Sequence, residues 1–275
     1  MARAALELAA RTPLAVSRSL AHLIDRAVPR LRRVAERNLQ LAGLPTELVS
    51  GVYDSIGRLL HSFARLPQIT RANVGDWIRY EGFEHFAEAK RRGRGVLFAT
   101  AHLGNWELSA YAHALLTEPL HVVARPLDNP RLDAWVNRRR AGSGNRILGK
   151  KHFLRSVLRA LAANEAVGIL IDQNAGLRGG IFVEFFGRLA CVDAGFMKLA
   201  HHSGAAVIPG FALWDAARQT HILRFLPPVE TSGDLVADTQ RLHTILEGVI
   251  RQYPDQWLWI HRRWKTRPPG EPPLY

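Results

Sequence analysis

One short stretch of the chain carries two side chains whose types and spacing suit proton-transfer chemistry. Residues Val96–Ala101 have the apolar character of a buried strand, and His102 follows directly. A Gly-Asn turn then leads to Glu107 at the start of a helix. Such a turn can bring an imidazole and a carboxylate together at the mouth of a sheet. An imidazole held by a carboxylate has a fixed tautomer and can act as a general base towards an alcohol.

Strands and helices alternate along the chain around this pair. Apolar runs predict strands over residues 96–101, 120–124, 167–171, 206–213 and 221–225. Helical spacing of apolar residues, with capping and turn signals, predicts helices within residues 46–63, 80–93, 128–140, 153–163, 193–202 and 235–251. This alternation favours an α/β fold with a mostly parallel central sheet flanked by helices.

Three of the predicted strands end on a polar residue, namely His102, Arg125 and Asp172. Ligands of open α/β sheets bind beyond the carboxyl ends of the strands, so these three side chains could converge on one site. Each has a structural alternative. A histidine after a strand can simply stabilise the fold, and Arg125 and Asp172 can pair with each other.

The charge balance points to anionic partners. The chain has 275 residues, 37 Lys and Arg against 24 Asp and Glu, and a formal net charge of +13. Nucleic acid, an acidic membrane surface, an acidic protein or a phosphorylated substrate would each fit that charge. The single cysteine, Cys191, excludes an internal disulfide and a thiolate zinc site, and its apolar surroundings predict a structural thiol.

Residues 1–42 form a basic amphipathic segment that we predict to be helical. The first forty residues contain eight arginines with leucine, isoleucine and valine between them, and no run in the chain reaches the roughly 18–20 apolar residues of a membrane span. We expect this segment to dock onto anionic lipid headgroups, the alternative being a helix packed on the domain with a solvated arginine face. Residues 43–275 are predicted to form a single α/β domain.

Four sequence blocks together resemble the lipid A biosynthesis acyltransferase family, the lauroyl and myristoyl transferases of the lysophospholipid (glycerolipid) acyltransferase superfamily. The blocks are residues 93–107, 123–130, 172–176 with 181–187, and 253–268. The first block contains the superfamily's His-(four residues)-Asp/Glu motif in its Gly-Asn-Trp-Glu form. Two departures stand out. Many members begin with a membrane-spanning helix, whereas the expected membrane contact here is the basic amphipathic segment. In addition, Glu184 occupies a position where the family pattern has proline.

The resemblance implies a glycerolipid acyltransferase-like fold and a catalytic pair. His102 would remove the proton from an acceptor hydroxyl, which then attacks an acyl thioester, and Glu107 would hold the imidazole. No covalent acyl-enzyme, metal or cofactor is expected beyond the acyl-thioester co-substrate. The oxyanion would be stabilised by Arg125 or by a backbone N–H near Gly104.

Further residues in the matching blocks are expected to contact substrate. The resemblance places Asn105, Arg125, Asp172 and Gly187 at the substrate-binding site. The guanidinium of Arg125 could instead bind a phosphate of the acceptor, which is the role that we favour. Asp172 is expected to orient Arg125 or a neighbouring loop rather than to act in catalysis.

The implied partners are acyl carrier protein or acyl-CoA as donor, anionic membrane lipids, and a glycolipid acceptor. A lipid A precursor is the first choice of acceptor, and a phosphatidylinositol mannoside or an ornithine lipid is the alternative. We expect a peripheral protein at the cytoplasmic face of the bacterial inner membrane. Of the tail tryptophans, Trp257 and Trp259 are predicted to be core residues, while Trp264 could lie at the lipid interface.

Three functions from other classes are alternatives. A nucleic-acid-binding protein would explain the positive charge, but the basic residues are dispersed and no known binding motif is present, so we expect no nucleic-acid partner. A metallohydrolase would use His102, His201 and His202 as metal ligands. The sequence has no His-Glu-x-x-His spacing, and adjacent His201 and His202 on a helix point about 100° apart, so the sequence does not favour this function. A non-catalytic membrane-surface or polyanion-binding protein remains as the third alternative.

Overall fold

The computed structural model describes residues 10–149 and 153–275, and it has an α/β architecture. A seven-stranded sheet has the strand order β1-β9-β8-β2-β5-β3-β4, and β6 and β7 form a separate two-stranded hairpin. The strands are β1 (Ile78–Glu81), β2 (Val96–Thr100), β3 (Leu120–Val123), β4 (Arg146–Leu148), β5 (Ala166–Leu170), β6 (Gly180–Phe185), β7 (Arg188–Asp193), β8 (Ala206–Asp215) and β9 (Thr220–Phe225).

Helices cover both faces of the sheet and extend beyond it at the N-terminal side. Within the described residues they are α1 (Leu14–Ala27), α2 (Pro29–Leu41), α3 (Val49–Arg65), α4 (Phe83–Arg91), α5 (Trp106–Leu116), α6 (Pro130–Arg140), α7 (Phe153–Ala162), α8 (Gly195–Ser203) and α9 (Leu235–Gln252). One core cluster lies between α4, α5 and the sheet, and another lies between α7, α8, α9 and its opposite face. The predicted α/β class with flanking helices is confirmed.

The sheet is parallel except for one pairing, between β8 and β9. Strand β2 lies in the middle of the sheet, with β5 on one side and β8 on the other. The first four residues of β2, Val96 to Ala99, are apolar and buried on both faces, as expected of a strand that is covered by helices on both sides. Thr100 pairs in register with Leu170, so the segments that follow β2 and β5 leave the sheet side by side.

Some elements differ from the sequence-based expectation. Strands β1 and β4 and the β6–β7 hairpin were not predicted, and the helix expected over residues 193–202 begins only at Gly195, after β7. Strands β1 and β4 have three or four residues each and lie at the two edges of the sheet. Such short edge strands carry little hydrophobic pattern, which explains why periodicity did not reveal them.

The N-terminal helices pack against the rest of the protein. Ala21 of α1 and Leu39 of α2 are fully buried in the same core cluster as Tyr53 of α3. An ion pair between Arg18 and Asp54, 2.7 Å long, also joins α1 to α3. Four large apolar side chains in the described part of this region remain exposed, namely Val16, Leu23, Ile24 and Val28. Residues 1–9 of the predicted docking segment lie outside the described residues.

No helix within residues 10–149 and 153–275 combines the length and the apolar character needed to cross a bilayer.

The C-terminal tail contributes three tryptophans to the core. Trp257 and Trp259 are buried, as predicted, with their ring centroids 4.5 Å apart. The prediction that Trp264 lies at a lipid interface was wrong, because its side chain is 0% exposed and packs near Phe185 and Phe186. Alternation with basic residues suggested an interface, but the neighbouring Arg263 is itself fully buried.

We expect Gly104→Ala to destabilise the protein far more than Gly43→Ala. Both glycines have positive φ, +64° for Gly104 and +69° for Gly43, so each alanine carries about 1–2 kcal/mol of backbone strain. A Cβ at Gly104 would lie 2.0 Å from the carbonyl oxygen of Ala212, whereas one at Gly43 meets nothing within 4 Å. Urea unfolding should show at least about 2 kcal/mol of additional loss for Gly104→Ala. Equal losses would contradict the packing shown here.

Candidate active site

His102 lies just beyond the carboxyl end of β2, and Asp172 lies just beyond the carboxyl end of β5. Because Thr100 and Leu170 pair in register, the two residues that follow them are also neighbours. The His102 Nδ1 atom is 2.9 Å from Asp172 Oδ1, and the His102 backbone N–H donates to Asp172 Oδ2 over 2.9 Å. The structure therefore forms a histidine–carboxylate pair from residues that are 70 positions apart.

Asp172 is buried, and each carboxylate oxygen has hydrogen-bond donors. Its Oδ2 also accepts a bond from the indole Nε1–H of Trp257 at 2.8 Å. Burial by itself raises the pKa of this carboxyl, but the charge and hydrogen bonds of His102 and the bond from Trp257 outweigh burial and lower the pKa. An ionised carboxylate can only accept hydrogen bonds, so Nδ1 of His102 carries the proton and Nε2 has the free lone pair.

Burial lowers the pKa of His102, but its surroundings more than reverse that effect. The charge of Asp172, its hydrogen bond to Nδ1 and the more distant charge of Glu107 all stabilise the imidazolium, while Arg140 opposes it. The net result is a pKa raised above the ordinary histidine value. A raised pKa makes Nε2 a stronger base towards a substrate hydroxyl.

Glu107 does not hold the imidazole, which corrects the sequence-based expectation. Its carboxylate forms a bidentate ion pair with Arg140, with distances of 2.9 Å from Nε and 2.5 Å from Nη2. Glu107 lies in the first turn of α5, and Arg140 is the last residue of α6. The helical start directs the Glu107 carboxylate towards α6, and Asp172 occupies the position beside Nδ1.

Asp172 was expected to orient Arg125 or a neighbouring loop, but the structure shows no contact between Asp172 and Arg125. The Arg125 side chain is 74% exposed, and its ion partner is Asp128 at 3.7 Å. Asp172 instead binds His102 and Trp257. Strand β3, which Arg125 follows, is separated from β2 by β5, so Asp172 rather than Arg125 lies beside the histidine.

Two other residues expected to bind substrate have structural surroundings of their own. Asn105 is buried as the N-cap of α5, accepting from the Leu108 N–H at 3.1 Å and donating to Ser62 Oγ at 2.6 Å. Gly187 lies in the tight turn of the β6–β7 hairpin with φ +68°. Neither is a residue that lines the cavity described below. Substrate contacts by Asn105 and Gly187 stay predictions.

The backbone N–H of Gly104, considered as an oxyanion donor, is already bonded within the protein. It donates to the Gln256 carbonyl at 2.8 Å, and the next N–H, that of Asn105, donates to the Ala212 carbonyl at 2.8 Å. The Leu258 N–H donates to the His102 carbonyl at 2.9 Å. The tail segment 256–258 therefore crosses the His102 loop and fixes its backbone from outside the sheet.

An apolar cavity begins beside this pair. Trp106 contacts the imidazole of His102, with ring centroids 4.9 Å apart, and also lines the cavity. The volume is about 760 Å³ with its open mouth included. Glu107 and Arg140 contribute the charged part of its wall. Most of the remaining wall is apolar, including Phe98, Leu120, Val122, Gly168, Leu170 and Phe225.

Sequence reasoning missed two residues of this site. Arg140 was predicted only as the end of the helix within residues 128–140, and Trp257 only as a core residue. No local sequence signal connects either residue to His102, since both come from distant elements. Within the described residues, no group of three or more His, Cys, Asp or Glu side chains is arranged to hold a metal ion.

The chain is similar to proteins of one bacterial enzyme family. A family model described as bacterial lipid A biosynthesis acyltransferase matches residues 4–266. The lipid A biosynthesis lauroyltransferase of Escherichia coli (strain K12) is 29% identical over 267 residues, covering 93% of this chain and 86% of the relative. The lipid A biosynthesis palmitoleoyltransferase of the same organism is 29% identical over 262 residues, covering 90% of this chain and 84% of the relative.

A further relative carries a different acceptor in its name. The phosphatidylinositol mannoside acyltransferase of Mycolicibacterium smegmatis (strain ATCC 700084 / mc(2)155) is 26% identical over 228 residues, covering 81% of this chain and 74% of the relative. The family model spans nearly the whole chain, and the resemblance read from the four sequence blocks is confirmed. The chain therefore belongs to the bacterial lipid A biosynthesis acyltransferase family and is an O-acyltransferase of that type.

Proposed function

We propose that this enzyme transfers a fatty acyl chain from an acyl thioester to a hydroxyl of a membrane glycolipid, with His102 as the general base. The observation that carries the proposal is the His102–Asp172 pair beside an apolar cavity. An oriented, partly exposed imidazole is suited to deprotonating an alcohol, and an apolar cavity is suited to a hydrocarbon chain.

The reaction needs one proton transfer in each direction. Nε2 of His102 takes the proton of the acceptor hydroxyl as its oxygen attacks the thioester carbonyl. The tetrahedral intermediate then expels the thiolate, and the imidazolium returns the proton to the sulfur. Asp172 stabilises the imidazolium throughout, because its charge lies 2.9 Å from Nδ1. No acyl-enzyme forms on this route.

Arg140 is the better candidate for stabilising the oxyanion. Its guanidinium lines the cavity together with Glu107, whereas Arg125 points largely into solvent. A cation held in a partly buried site stabilises developing negative charge more strongly than one in water. Glu107 would then position Arg140 and balance its charge before substrate binds. Arg125 remains suited to a phosphate of the acceptor headgroup.

A lipid A precursor is the proposed acceptor, and acyl carrier protein or acyl-CoA is the proposed donor. The names of two relatives at 29% identity support lipid A. A phosphatidylinositol mannoside is the second candidate, supported by the name of the relative at 26% identity. The formal net charge of +13 suits an acidic carrier protein, a phosphorylated acceptor and anionic lipids alike.

We place the enzyme peripherally at the cytoplasmic face of the inner membrane. Exposed leucines follow three neighbouring parallel strands at the edge that carries His102: Leu127 after β3, Leu154 after β4 and Leu177 after β5. An exposed arginine lies within two residues of each leucine. Apolar side chains beside cations are the combination that binds an anionic bilayer surface. The exposed apolar residues of α1 offer a second contact.

Asp172→Asn should lower kcat by about 10²–10⁴-fold, because the imidazole loses the charge that fixes its tautomer and stabilises its protonated form. Glu107→Gln should lower kcat only about tenfold, since Glu107 acts on His102 through space and through Arg140. Steady-state transfer assays on folded variants, checked by circular dichroism, compare the two. A larger loss for Glu107→Gln would return the imidazole-holding role to Glu107.

The pH dependence of kcat/KM should show one ascending limb with its midpoint above about 6.5. His102 must be neutral to accept a proton, and its pKa is raised, so the active fraction grows as pH rises through that value. Asp172→Asn removes the largest effect that raises the pKa and leaves the burial that lowers it. The midpoint of the variant should therefore move to lower pH. An unmoved midpoint would show that another group titrates.

Deletion of the gene should remove one acyl chain from lipid A, as measured by mass spectrometry of extracted lipids. The wild-type protein should restore that chain, and His102→Ala should not, although it should accumulate to the same level. A missing chain on another lipid, with lipid A unchanged, would overturn the proposed acceptor while keeping the acyltransfer chemistry.

A further inference from the structure

The interior strand β5, which lies beside the central strand β2, contains a glycine where the sheet gives no reason for one. Gly168 pairs in register with Phe98 of β2 on one side and with Val122 of β3 on the other. All three residues line the apolar cavity. Glycine weakens the interior of a strand and often marks a place where a ligand approaches the backbone closely.

Packing within the protein does not require this glycine. Its φ is not in the left-handed region, and a Cβ built on it meets no atom within 4 Å. Gly210 of β8, the other glycine that lines the cavity, differs in this respect. A Cβ there would lie 2.9 Å from Cδ1 of Phe225, so the packing of Phe225 explains Gly210. The space above Gly168 has no such occupant.

The position of Gly168 along the strand places it well inside the cavity. Gly168 precedes Asp172 by four residues, which corresponds to about 13 Å along a strand with a rise of roughly 3.3 Å per residue. The row of Thr100 and Leu170 lies between it and the catalytic pair, and the row of Ala166 and Leu120 lies beyond it. A chain that extends along this face from His102 must pass Gly168 before it reaches the deeper row.

We propose that Gly168 determines the length of the acyl chain that the enzyme accepts, because the gap above its backbone lets the distal part of a long chain pass between Phe98 and Val122. This inference rests on the proposed acyl transfer and identifies a specificity residue within it. Short chains end before this row and do not use the gap. Long chains occupy it.

Gly168→Ala and Gly168→Val should therefore act selectively on long chains. The expected result is unchanged affinity for short saturated acyl-CoA thioesters and about fourfold weaker binding for each methylene that can no longer enter the cavity. The preferred length should fall by roughly two carbons with valine and by less with alanine. Displacement of a fluorescent fatty acid measures binding, and transfer assays with the same thioester series measure chain preference.

Two further variants distinguish a ligand gap from a general packing effect. Gly248→Ala, in α9, is the matched control, because a Cβ there also meets no atom within 4 Å and Gly248 does not line the cavity. It should leave the length profile unchanged. Val122→Ala in the Gly168→Val background removes two carbons from the neighbouring strand at the same row. It should restore part of the long-chain binding.

The outcomes separate this inference from the proposed function. If Gly168→Val weakens all chain lengths equally, or if Val122→Ala does not restore long chains selectively, the inference is overturned even when the wild type transfers acyl groups normally. If the wild type binds the thioesters but transfers none, the proposed function fails. The binding profiles of the Gly168 variants would still decide the role of the gap.

Discussion

An ionised carboxylate can be buried only where donors or cations compensate for the hydration it loses, and Asp172 is buried with three N–H donors. Two come from His102 and one comes from Trp257. Each of these donors belongs to a different part of the structure from Asp172 itself, so the carboxylate joins the end of β2, the end of β5 and the C-terminal tail. The same hydrogen bonds therefore keep Asp172 ionised and orient the imidazole of His102.

The tail that supplies the Trp257 donor is itself held by the N-terminal helices. Asn38 of α2 donates to the carbonyl of Trp259 at 2.5 Å and to that of His261 at 2.6 Å. Asn38 also accepts from the Tyr275 hydroxyl. Helix α2 and the C-terminal tail are thus joined directly through the side chain of Asn38. Helix α2 therefore supports the tail segment that contacts the His102–Asp172 pair, while α1 has exposed apolar side chains.

The strands that carry the site residues could be predicted from sequence, but the order of those strands in the sheet could not. Apolar runs located β2 and β5 to within a residue or so, and His102 and Asp172 were both recognised at strand ends. Periodicity contains no information on strand order, so it could not show that β5 lies beside β2. Glu107 was therefore assigned to the imidazole because it is close in sequence. Asp172 is the actual partner because parallel pairing brings it close in space.

The two carboxylates of the site differ in what they can do during acyl transfer. In the proposed reaction, the attack converts a neutral imidazole and a neutral thioester into an imidazolium and an oxyanion, so the site would have to stabilise both charges without a change in its total charge. Asp172 lies against the position of the new positive charge, while Arg140, held by Glu107, lines the cavity on the side of Trp106. The groups are paired before substrate arrives, so little reorganisation is needed as charge separates. A histidine held directly by Glu107 would leave Arg140 without its counter-ion, and this arrangement would be lost.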